Sequence, residues 1–101
     1  MDYSKMSDFE INCDIARLMG YTAKGFIHDL HSGVWNPCNN PADAWPIIVD
    51  NSIGIKKQSN GLWVSSRHGG MYPQYHENPL RAAMIVFLMM QESSNVQDNP
   101  A

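Results

Sequence analysis

From Ala82 to Met90 every residue is apolar, and this run constrains the fold more than any other stretch of the chain. Asn78 suits an N-cap, and Pro79 suits the first helical position, where a missing N–H costs nothing. The spacing predicts a helix over 79–92 with no face patterned for water. A helix that is apolar all round is either the central core helix of a small domain or is covered by a partner as well. It is too short to cross a bilayer, which takes about 20 apolar residues.

A chain of 101 residues supports one domain with one core. That domain is expected over 1–92, with 93–101 a flexible polar tail. The 7 basic and 10 acidic residues give a net charge of −3, which argues against a general nucleic-acid binder with a basic face. Cys13 and Cys38 lack the close spacings of a disulfide framework and read as reduced thiols of a cytosolic protein. Met1 to Lys5 has neither the basic cluster nor the apolar run of a signal peptide. The expectation is a soluble cytoplasmic protein with no membrane association.

The first helix is marked at both ends. Ser7 and Glu10 make a capping box, and Met6 and Ile11 are spaced for a hydrophobic staple. Ile11, Ile15, Leu18 and Met19 share one face, and Gly20 suits the left-handed residue that ends a helix. The helix is expected over 8–19. Residues 21–39 show no period, and short strands are expected near Phe26-Ile27 and Val34-Trp35. Asn40-Pro41 repeats the capping device and opens a second helix to about Asp50. Pro46 should kink that helix or break it, leaving 47–49 extended. Alternation at Ile53 and Ile55, a turn at Ser59-Asn60-Gly61 and the run from Leu62 predict a hairpin of 53–57 with 62–66, closed by a primed turn. Residues 67–77 read as a loop. Trp35, Trp45 and Trp63 are assigned to the core.

Three constellations could carry chemistry. His28, His31 and Cys38, with His68 and His76, hold one close pair of metal ligands where a structural zinc site uses two, so no metal is expected. Cys38 precedes a helix start and is the better nucleophile candidate, yet no positive neighbour marks an activated thiolate. No nucleophile elbow, phosphate-cradling loop or dinucleotide fingerprint is present; the expectation is no enzyme and no cofactor. The third is a binding surface formed by Arg67, His68, Gly69, Gly70, Tyr72, Tyr75 and Asn78. Guanidinium, bare backbone, aromatic faces and a helix N-terminus suit an anionic or nucleotide-like metabolite, or an aromatic-rich protein interface.

Met1 to Asn12, the block Cys38 to Val49 and the helix from Asn78 to Glu92 resemble the NinX-like family of small proteins from tailed phages and prophages of enteric bacteria. More distantly, Ala44-Trp45, Gly61-Leu62-Trp63 and Ala82-Ala83 fall in the places of a phage α/β/α-sandwich domain. The resemblance implies an accessory protein used during infection, and it brings no catalytic residues. The combined expectation is an α+β single domain, with a hairpin or short sheet packed with three helices in a sandwich-like arrangement. Its expected role is to occlude a host protein or sequester a small anionic metabolite. A nucleic-acid accessory role in recombination or replication is the less favoured alternative, and a small metal- or thiol-dependent enzyme is less favoured still. The surplus apolar surface favours a homodimer.

Overall fold

The computed structural model describes residues 2–21 and 23–97, with side chains through Glu92. A short turn at Tyr3–Lys5 leads into α1 (Asp8–Leu18), α2 (Lys24–Ser32) and α3 (Pro41–Asp50). Three strands follow, β1 (Ile53–Lys57), β2 (Trp63–Arg67) and β3 (Met71–His76), and then α4 (Pro79–Gln97).

Local signals set the helix starts. The Ser7 hydroxyl accepts from the Glu10 N–H at 3.1 Å, and the Glu10 carboxylate accepts from the Ser7 N–H at 3.0 Å. Ile11 and Ile15 are fully buried, whereas Leu18 is exposed. Gly20 leaves the helix at φ +74°. Asn40 caps α3 by accepting from the Ala42 N–H at 3.0 Å. Of the kink or break expected at Pro46, the break does not occur: α3 continues through it, and Ile47 and Ile48 are buried within the helix. Pro46 deprives the Ala42 carbonyl of its helical donor, but both residues face solvent, where water can replace that donor.

Two stretches differ from the sequence reading. Where strands were expected near Phe26 and Val34, the chain forms α2, closed by Gly33 at φ +83°. Only Leu30 of this helix is buried. Phe26 packs between Tyr21 and Trp35, with ring centroids 4.7 and 4.8 Å away. Where a loop was expected at 67–77, residues 71–76 form β3 and pair antiparallel with β2. The predicted hairpin is present, with Ile53 opposite Arg67 and Lys57 opposite Trp63. Its turn is not of the primed type, because Asn60 does not take positive φ while Gly61 does (+86°). Gly61 N–H donates to Gln58 C=O and Gln58 N–H to Leu62 C=O, the pattern of a three-residue loop with a glycine bulge.

The α+β class stands, with a fourth helix and a third strand. α4 lies across all three strands and packs on its other side against α1 and α3. Sheet, α4, then α1 with α3 is the order of layers. That arrangement explains the apolar run: every residue from Ala82 to Leu88 is buried within one chain. α4 also extends beyond the expected end, through residues 93–97, while 98–101 lie outside the described residues.

The N-terminal ends of α1, α3 and α4 are tied together by one polar network. Arg81 is buried, holds Asp8 at 2.6 Å and donates to the Met6 carbonyl at 2.6 Å. Asn39 also donates to Asp8, at 3.0 Å, and Asn12 donates to Asn36 at 2.8 Å. Burial alone would push the Asp8 carboxyl up, but the Asn39 and Arg81 hydrogen bonds and the Arg81 and His76 charges outweigh it and hold it below the usual carboxylate range. A folded-state pKa below the unfolded value, about 3.9, gives stability that is present above that pH and lost as pH falls through the folded pKa. Asp8→Asn should therefore lower stability at neutral pH and flatten its fall in acid. Circular dichroism between about pH 5 and pH 2 checks the slope.

Candidate functional site

The sequence-predicted site residues fall into two groups at opposite ends of the sheet. Arg67 closes β2, and His68-Gly69-Gly70 makes the turn into β3, with Gly70 N–H donating to Arg67 C=O at 2.9 Å. Gly69 and Gly70 take φ +86° and +80°, which a side chain at either position would resist. Ser65 pairs with Gln74 but Arg67 with Met71, so β3 carries one extra residue at Tyr72-Pro73. Pro73 is tolerated because β3 is an edge strand. Tyr72 is half-buried and sits at φ +55°, a conformation that costs a non-glycine residue on the order of 1–3 kcal/mol. Around it Arg67, His68 and Met71 are exposed; Tyr75, 56% exposed, lies farther along β3, opposite Val64.

Asn78 is not part of this tip. β3 runs away from the turn, and at about 3.3 Å per residue its far end lies roughly 17 Å from Arg67. The Asn78 side chain caps α4, accepting from the N–H groups of Leu80 (3.0 Å) and Arg81 (3.3 Å). Its amide nitrogen donates to the Cys38 carbonyl at 2.7 Å, and its backbone N–H to His76 Nδ1 at 2.9 Å. One anion therefore cannot touch both Arg67 and the α4 N-terminus, and Asn78 serves the packing of α4 on the Cys38 loop.

The thiols and imidazoles are also accounted for. Cys38 is fully buried, and burial pushes its thiol up to about 12, the opposite of an activated nucleophile. Burial raises Cys13 as well. His31 Nδ1 donates to the Ile27 carbonyl at 2.9 Å, and His28 is exposed. Among the described residues no three His, Cys, Asp or Glu side chains stand where they could hold one metal ion. A neutral thiol reagent should leave Cys38 untouched in the folded protein and modify it on unfolding. Mass spectrometry of the alkylated chain reads this directly, and rapid native labelling of Cys38 would show that its burial is wrong.

A second surface was not visible in the sequence. Trp45, assigned there to the core, is 63% exposed, because α3 buries Ala44, Ile47 and Ile48 instead. Trp45 and Val49, four residues apart on one flank of the helix, border a groove of about 310 Å³ with Ile48, Ser52, Ile53 and Ile55. Trp35 and Trp63 are half-buried, and Lys57 Nζ stands 5.9 Å from the Trp63 ring centre. The helical spacing of Trp45 and Val49 was the signal for this face, masked by the apolar character of both.

These features define a small α+β domain with an exposed hairpin tip and a separate apolar groove. The chain belongs to the family of bacteriophage P22 NinX, which matches it over residues 2–91. Comparison with curated proteins and with solved structures found no match. Among the described residues no helix is long and apolar enough to cross a membrane.

Proposed function

We propose that this phage accessory protein acts in the host cytoplasm by non-enzymatic binding, with the β2–β3 tip docking on a host protein. The observation that carries the reading is Tyr72 at φ +55° beside two glycines of positive φ. Backbone strain of this kind persists where the surrounding structure enforces it, and it clusters at functional sites, among them ligand clamps and switch regions. The exposed side chains at the tip are Arg67, His68 and Met71, of which arginine and methionine are residue types enriched in protein interfaces. Separation of Arg67 from the α4 N-terminus favours a protein surface over a metabolite pocket, because the composite anion site is not assembled.

Arg67→Ala should weaken capture of the host partner by about 1.5–3 kcal/mol, the range for hydrogen bonds to a charged group. It should leave the melting temperature near the parent value, since Arg67 is exposed. The test is quantitative pull-down from phage-infected cells beside calorimetric titration with nucleotides. Nucleotide heats that depend on Arg67 would assign the tip to a metabolite instead, and capture indifferent to Arg67 would remove the tip from the account.

A further inference from the structure

The outer edge of β1 is built to accept another strand. Gln58 and Leu62 form a hydrogen-bonded pair at the hairpin end, with Gln58 N–H to Leu62 C=O at 2.9 Å. Alternation along an antiparallel ladder then turns the backbone groups of Gly54 and Lys56 toward β2, and those of Ile53, Ile55 and Lys57 away from it. Among the described residues β2 is the only strand paired with β1. Unpaired N–H and C=O groups in a row are a template for a further strand. The groove lined by Trp45, Ile48, Val49, Ile53 and Ile55 lies between this strand and α3, with Trp45 and Val49 exposed.

We propose that the occupant is a second copy of this chain, joined β1 to β1 antiparallel about a twofold axis at Ile55. The charge order along the edge carries the choice. Asp50 ends α3 just before β1, and Lys56 and Lys57 end the strand. An antiparallel copy brings the basic end of each strand to the end of the other that follows Asp50, which lies three residues before Ile53. An unrelated extended segment has no reason to supply that match. In that register Ile53 faces Lys57 of the partner subunit, and Lys56 of the partner subunit lies over Gly54, where no side chain competes for the space. The apolar side chains on the inner face of each β1 extend the lining of the other copy's groove and shield Trp45. One six-stranded sheet results. The β3 edges remain at its two ends, so the pairing is independent of the proposed binding tip and leaves two tips free.

Sedimentation of the full chain at on the order of tens of micromolar should give twice the 11.4 kDa chain mass. The amides of Ile53, Ile55 and Lys57 should exchange slowly with solvent. Ile55→Pro removes an outward N–H without touching the β1–β2 ladder, and it should give the single-chain mass with an unchanged circular dichroism spectrum. Should that variant unfold, charge exchange decides: Lys57→Glu should weaken the dimer about tenfold, and adding Asp50→Lys should restore it. A single-chain mass for the parent protein overturns the proposal. So does a dimer whose strength neither Ile55→Pro nor the charge exchange alters.

Discussion

Met84→Asp is expected to abolish cooperative folding. Met84 has no exposed surface and belongs to the cluster that joins Ile11 and Ile15 of α1, Ile47 and Ile48 of α3, and Ile53 of β1. A carboxylate there has no partner and no water. Burying it costs several kcal/mol, or its pKa rises until it is carried as the neutral acid. A domain of this size holds about 5–15 kcal/mol in total, so the loss of Met84 packing on top of that penalty takes most of it. Urea unfolding followed by circular dichroism reads the result. A variant that melts close to the parent would mean that α4 is not the middle layer.

Arg81→Ala is the second large effect, and its cause is different. The guanidinium neutralises Asp8 and donates to the carbonyls of Tyr3 and Ser4 at 3.4 Å and Met6 at 2.6 Å. Removing it leaves those acceptors facing a void at the junction of the N-terminal segment and α4. Breaking a buried pair by deleting one partner costs about 3–5 kcal/mol. The low end applies here, because Asp8 is 39% exposed and water can solvate it. Asp8→Ala should cost less than Arg81→Ala, since it leaves the three carbonyl contacts in place. Equal losses in the two variants would mean that the ion pair, and not the carbonyl contacts, holds the N-terminal segment.

The contrast between these residues shows what the sequence could reveal. Met84 lies in an apolar run, and a run with no polar face can be read without a structure. Arg81 is the single charge next to that run, and its partners lie more than seventy positions away, three of them backbone carbonyls that no side-chain pattern encodes. Helix starts were legible wherever a cap acts within four residues, as at Ser7, Asn40 and Asn78. α2 was hidden because it is short and has no side-chain cap at its start, so the helical spacing of Phe26, Ile27 and Leu30 stands without a start signal. β3 was hidden because its inward side chains, Tyr72 and Gln74, are only half-buried and one of them is polar, while Met71 and Tyr75 face solvent, so apolar character does not follow burial along the strand. The site was legible in part: Arg67, the glycines and the tyrosines do share one hairpin, but strand β3 carries Asn78 to the other end of the sheet. Trp45 was misplaced because hydrophobicity alone does not say which flank of a helix is covered.

Site-specific photocrosslinking in phage-infected cells tests the tip as the binding surface most directly. A photoreactive residue at His68 or Met71, both exposed at the β2–β3 tip, should capture one host protein. The same group at Lys24, exposed at the start of α2, should capture none. A host adduct from position 24 with none from 68 or 71 would contradict the account.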